Sequence, residues 1–146
     1  MTASPFTFTL TITPVAKARP RFDGIHHRMY TPAKTARYET DIARAARAKM
    51  RREGRKPFTD CAVRLSCVFR YKPPQRFADT AMRLAFARAG LVHKRSRPDI
   101  DNLVKAVLDA LNGVAYTDDN IVADIHAKKQ YSATDSVTVE ISEIEE

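Results

Sequence analysis

At 146 residues, 44% of them hydrophobic, the chain is long enough to bury one core and too apolar for wholesale disorder. It has no run of about 18 apolar residues, which excludes a membrane-spanning helix. Its start, MTASPFTFTL, lacks the charged onset and unbroken apolar stretch of a secretion signal, so a cytoplasmic location is expected.

The net charge of +8 is unevenly spread. Residues 1–98 hold 22 Lys and Arg against 6 Asp and Glu, a balance of +16, while residues 99–146 hold 3 against 11, a balance of −8. A basic body suits a polyanion such as nucleic acid, because Lys and Arg release counterions from phosphates on binding. The acidic end would repel that polyanion unless something neutralises it, and a divalent metal would do so. A solvated surface of uneven charge is the plain alternative.

In chain order, FTFTLTIT (Phe6 to Thr13) alternates apolar residues with threonine and predicts a half-buried strand. VAKARPRFDGIHHRMY follows, where Pro20 and Gly24 predict a loop or hairpin, and Lys17, Arg19, Arg21 and Arg28 sit among Phe22 and Tyr30. Thr31 and Pro32 read as N-cap and first position of a helix ending at Gly54. Tyr38, Ile42, Ala45, Ala46 and Met50 form its apolar stripe, and Arg44, Arg47 and Arg51 line another face. A second strand spans Asp60 to Tyr71, with Cys61, Val63, Leu65, Cys67 and Phe69 on one face, and Pro73-Pro74 ends it. The two cysteines, lying six apart on that strand, cannot bond to each other and are expected as small buried residues. With no CxxC or Cys/His cluster, a structural zinc site is not expected.

Asp79 is placed as the cap of a short helix, TAMRLAFARA, closed by Gly90, and the basic loop HKRSRP leads into RPDIDNLVKAVLDALNGVAYTDD. There Ile100, Leu103, Val104, Val107, Leu108 and Leu111 keep the three-and-four spacing of an amphipathic helix stopped by Gly113. IVADIHAKK, with Ile121, Ala123, Ile125 and Ala127 on one face, and SVTVEISEI predict the last two strands. No repeat or linker divides the chain. The expectation is a single α+β domain over residues 1–146, with a mixed sheet of about four strands and about three helices.

That last helix would expose Asp101, Lys105 and Asp109, one turn apart. Asp99 and Asp101 lie about 200° apart on a helix and can converge only if Asp99 stands outside it, which Pro98 favours by pushing Arg97 toward extended backbone. Asp118 and Asp119 follow a helix of about 20 Å, so the chain must double back to bring them near its start. If the carboxylates meet, hard oxygen ligands without sulfur or histidine favour Mg²⁺, or Mn²⁺ as a substitute. Such a metal activates water and neutralises charge on a phosphodiester, and Lys105 could stabilise that charge or the leaving oxygen. The alternative for the same residues is that Asp99 caps, Asp101 pairs with Lys105, and Asp118-Asp119 makes a turn. His126, expected to face the same way as Asp124 and Lys128, is read as a solvated strand histidine without a role.

RPDIDNLVKAVLDALNG followed by the DD pair, together with VAKARPRF and YTPAKTARYE, resembles the RusA family of Holliday junction resolvases, in its phage and prophage branch. The resemblance is specific over residues 97–131 and looser between Pro57 and Arg95. It implies a homodimeric, Mg²⁺-dependent crossover junction endodeoxyribonuclease that cuts four-way DNA junctions by paired symmetric nicks, with no small-molecule cofactor and no membrane partner. The family's essential acids match Asp99, Asp101 and Asp119 as catalytic metal ligands, with Asp118 in the same motif, and its essential lysine matches Lys105. Arg97 matches a basic position before the first acid and would contact phosphate. Lys17, Arg19 and Arg21 are assigned to DNA from their charge. A non-catalytic basic DNA-binding protein, or a metal nuclease preferring other branched DNA, are the competing readings.

Overall fold

The structure, a computed structural model, describes residues 4–74 and 81–146. Six strands and three helices follow in the order β1 (Phe6–Leu10), β2 (Arg21–Asp23), β3 (Arg28–Tyr30), α1 (Ala33–Glu53), β4 (Val63–Tyr71), α2 (Ala81–Arg88), α3 (Ile100–Leu111), β5 (Val122–Tyr131) and β6 (Ser136–Glu143). A 3-10 turn, Asp119–Ile121, precedes β5. Four strands form one mixed sheet in the order β1-β6-β4-β5, and β2 and β3 form a separate two-stranded ribbon. The expected α+β class and four-stranded mixed sheet are therefore present, with the ribbon in addition.

Register follows the alternation of apolar residues. β6 pairs antiparallel with β1 (Phe8 opposite Val139) and with β4 (Leu65 opposite Ile141). β4 pairs parallel with β5 (Leu65 opposite Ile125), a pairing that requires a crossover, here α2, the loop after it and α3. Phe6, Phe8, Val63, Leu65, Cys67, Phe69, Val137, Val139 and Ile141 are all buried on one face of the sheet. There they join one core with Tyr38, Ile42 and Ala46 of α1 and Leu103, Val107 and Leu111 of α3. The opposite face carries polar partners: Thr9 Oγ1 lies 2.9 Å from Thr138 Oγ1, and Arg70 donates to Thr138 at 2.6 Å. The result is two layers, helices on one face of the sheet and a hydrophilic surface on the other.

Element boundaries depart from expectation where backbone geometry intervenes. β1 stops at Leu10 because Val137, near the start of β6, is its last partner. Asp60 adopts a left-handed φ of 56°, so β4 cannot begin before it, and Cys61 lies outside the strand and only half-buried. α1 starts at Ala33 with Pro32, not Thr31, at the cap: Pro32 has ψ 143°, and its carbonyl accepts the first helical bond from Ala36. On α1 the buried alanines are Ala43 and Ala46, and Ala45 is half-buried; Arg44, Arg47 and Arg51 are exposed as expected. The proposed cap Asp79 and the adjoining Thr80 lie outside the described residues. No helix among the described residues is long and apolar enough to cross a membrane.

Candidate active site

α3 is the element that positions the candidate catalytic groups. Burying its apolar stripe against α1 and the sheet leaves Asp101 and Lys105 exposed and Asp109 half-buried along one face, each a turn from the next. Asp99 stands at the N-cap with φ −73° and ψ 141°, outside the helix proper, as the convergence of Asp99 and Asp101 requires. Its carbonyl accepts the first helical bond, from Leu103 at 3.2 Å, and its side chain caps nothing. The N-cap alternative for this carboxylate is thus absent, and it stands free of local duty.

The loop before Asp99 is held from behind. Lys129 of β5 donates to the carbonyls of Ser96 at 2.8 Å and Pro98 at 2.7 Å. Sequence reasoning missed Lys129, since a lysine on a strand carries no local signal for what its ammonium reaches. Arg97 and Pro98 also border an open cleft of about 520 Å³ that takes in Arg21, Pro32, Lys34 and Thr35. Arg21 and Arg97 were expected to meet DNA, and Lys34 joins them as a third cation that charge counting along the chain did not single out. Arg19 is exposed beside them in sequence.

Lys17 is placed differently. Its backbone N–H donates to Asn102 O at 2.8 Å, and its ammonium sits 2.5 Å from Glu39 and 3.1 Å from Asp109. Burial disfavours its charge, but hydrogen bonds to Glu39 and Asp109 more than offset this and hold its pKa above the usual lysine value. Lys17 thus turns its charge inward and clamps α1 to α3.

The return of the chain after α3 resolves how Asp118 and Asp119 are placed. Gly113, at φ 77°, starts the turn, Tyr116 O–H reaches back to Leu108 O at 2.8 Å, and Phe58 and Ala115 exchange a backbone bond at 2.9 Å. Asn112 then accepts from the Asp119 N–H at 3.2 Å, and Asp118 accepts from Asn120 N at 3.2 Å. The returning chain is thereby held against α3. Burial raises the Asp119 carboxyl above the ordinary carboxylate range, its hydrogen bond and charge contact with Asp118 and the charge of Asp109 raise it further, and Lys105 opposes them. Asp119 therefore neighbours Asp118 and lies within reach of the charges of Asp109 and Lys105.

The donors, all carboxylate oxygens, fit a hard divalent cation, and the crowding at Asp119 is the kind of charge that such an ion relieves. Asp99 and Asp101 flank the first residue of α3, and Asp118 and Asp119 are adjacent in the returning chain. Among the described residues no group of three or more His, Cys, Asp or Glu is close enough to hold a metal ion. On its other side this row opens on an apolar groove of about 430 Å³ between α3 and β5, lined by Ile100, Val104, Leu108, Ile125 and Ala127 together with Asp101 and Lys105. His126 is exposed on the far face of β5, with Nε2 3.5 Å from Asp124, away from the carboxylate row.

Residues 11–142 match the family described as endodeoxyribonuclease RusA. The chain is also 34% identical over 142 residues to a protein described as uncharacterized, YqaN of Bacillus subtilis (strain 168), with 94% of this chain and 95% of that protein covered. Both matches span the ribbon, the basic cleft and the whole aspartate segment.

Proposed function

The chain belongs to the endodeoxyribonuclease RusA family, and from that premise we propose that it is a divalent-metal-dependent, structure-selective nuclease that resolves four-way DNA junctions by paired, symmetric phosphodiester hydrolysis. The observation that carries this reading is the exposed face of α3, where Asp101 and Lys105 stand a turn apart with Asp99 just ahead of the helix and Asp119 within reach of the Lys105 charge, beside the cleft of Arg21, Lys34 and Arg97. Asp99, Asp101 and Asp119, with Asp118 beside it, are the residues assigned to Mg²⁺ or Mn²⁺. When bound, the ion supplies activation of water and neutralisation of phosphodiester charge.

This chain's own groups supply the rest. Arg21, Lys34 and Arg97 hold backbone phosphates at the mouth of the site, the charge-assisted contacts that place a strand without reading its sequence. Lys105 Nζ offsets the negative charge that builds on the phosphoryl oxygens or the departing oxygen as the bond breaks. Lys129 and Lys17 position: the first fixes the loop before Asp99, the second fixes α3 against α1.

The same reading makes the protein a homodimer, since paired nicks in a two-fold junction call for two sites related by a two-fold axis. Support comes from β5, the outer strand of the sheet. Among the described residues its outer edge is engaged only near its end, where Lys129 and Tyr131 bond to the 92–94 segment. The free stretch is self-complementary about His126: antiparallel pairing with a second copy sets Asp124 opposite Lys128 and Ile125 opposite Ala127.

Asp101→Asn tests the catalytic assignment. It should abolish junction cleavage with Mg²⁺ present while gel-shift affinity for the same junction is retained. Loss of both together would assign Asp101 a structural role.

A further inference from the structure

Apart from Arg21, the β2–β3 ribbon is not used by any step above, and its surface is unusual. Phe22, Ile25, Met29 and Tyr30 are 61%, 85%, 61% and 43% exposed, four large apolar side chains within nine residues. Nothing in the core covers them. Phe22 pairs directly with Met29 across the ribbon, so the two share a face. Arg21 opposite Tyr30, and Asp23 opposite Arg28, lie on the other face by the two-residue period of a strand. The ribbon thus has one face of Phe22 and Met29 and an opposite face carrying Arg21, Arg28, Asp23 and Tyr30.

Its tip is rigidly built. Asp23 Oδ1 accepts from Ile25 N at 2.9 Å and His26 N at 3.3 Å, and Asp23 Oδ2 lies 2.6 Å from His26 Nδ1. Asp23 is the one acid between Pro14 and Tyr38, against six Lys and Arg, and it is spent on the turn. At its base the ribbon joins the site, because Arg21 lines the same cleft as Lys34, Arg97 and Pro98, the last of which adjoins Asp99.

We propose that the β2–β3 ribbon is a base-stacking probe, its Phe22–Met29 face lying against bases at a DNA branch point while Arg21 grips the adjoining backbone in the cleft that leads to Asp99. This rests on the DNA-nuclease reading and adds to it the element that senses the branch. A two-stranded ribbon fits a DNA groove, apolar side chains between bases unstack them, and an aromatic face accepts any base without regard to sequence. A branch point offers bases whose stacking is already interrupted, so the cost of unstacking there is lowest. The small Phe22–Met29 face, next to a cleft lined by Arg21, Lys34 and Arg97, points to nucleic acid over an apolar protein partner.

The test uses the full-length protein and a four-way junction carrying 2-aminopurine at the branch point, in EDTA so that no strand is cut. Wild-type binding should raise the fluorescence as the base unstacks. Phe22→Ala/Met29→Ala should abolish that rise, lower junction affinity by less than about tenfold because phosphate contacts dominate binding, and slow junction cutting in Mg²⁺ by roughly 5- to 150-fold, the scale of one lost base stack. Phe22→Trp, which keeps a ring, should retain the signal. An undiminished rise in the double variant overturns the proposal, as does a change in its oligomeric state by sedimentation, which would make the patch a contact between copies. A wild type that binds and cuts the junction with no fluorescence change refutes the ribbon's role alone, whereas one that does not bind the junction refutes the nuclease reading beneath it.

Discussion

Lys105 stands a turn from Asp101 on α3 and within reach of Asp119, and a charge in that position counts most when negative charge develops on a phosphoryl group. Its removal is equivalent to losing a single preorganised donor, which costs about 10²- to 10³-fold in rate. Lys105→Ala should therefore lower the single-turnover cleavage rate by that order with a much smaller change in junction affinity. Equal losses in both would make it a simple phosphate contact. A second residue-level expectation concerns the thiols. Burial pushes the Cys67 thiol up to about 12, and burial together with the charges of Glu143 and Asp60 raises Cys61 as well. A thiol reacts as its thiolate, so at pH 8 in native protein a disulfide-exchange reagent should titrate Cys61 slowly and Cys67 only after unfolding. Two thiols reacting together in native protein would contradict the burial of Cys67 under α1 and α3. Individual residues differ in how legible they were. Pro98 announced that Asp99 would stand outside the helix, because the constraint is local. Lys17 and Lys129 gave no such sign, because their partners, Glu39 and Asp109 for one and Ser96 and Pro98 for the other, lie tens of residues away in sequence.

Among the elements, α3 was readable in full, since a strong 3.6-residue stripe, a proline before it and a glycine after it all agree. β4 and β6 were readable as buried alternating strands. β5 was readable as a strand too, but not its place at the edge of the sheet, which depends on topology. Ile125 faces the groove beside α3 and remains exposed. The ribbon appeared in sequence only as a loop or hairpin, since three-residue strands leave too short a pattern to count. The edge of β5 gives the prediction that belongs to this scale. If two copies pair along it, Lys128→Asp sets Asp124 against a like charge twice over, by symmetry, and should weaken the dimer by about 1–2 kcal/mol in sedimentation equilibrium. An unchanged association constant would place the dimer contact elsewhere.

For the whole molecule, the two halves of the charge distribution meet at α3. The basic body supplies the cleft of Arg21, Lys34 and Arg97, and the acidic end supplies Asp99, Asp101, Asp118 and Asp119. The sequence suggested that the acids converge but left open how far the chain doubles back. The answer is set by Tyr116, Gly113 and Asn112, which turn it back so that Asp119 comes within reach of the charges of Lys105 and Asp109. Sheet order was likewise beyond a sequence reading, because the parallel pairing of β4 with β5 depends on where the α2–α3 crossover packs. The chain belongs to the endodeoxyribonuclease RusA family, and the central claim of the proposed function is cleavage of a branched duplex that depends on metal and on these carboxylates. The most direct measurement is incubation of the purified protein with a four-way junction and a sequence-matched linear duplex, each with Mg²⁺ or with EDTA, and mapping of every nick on a sequencing gel. Symmetrically paired nicks in the junction, absent from the duplex and abolished by EDTA, are the predicted result. Junction binding with no nick in any metal, or nicks equally frequent in the duplex, would contradict it.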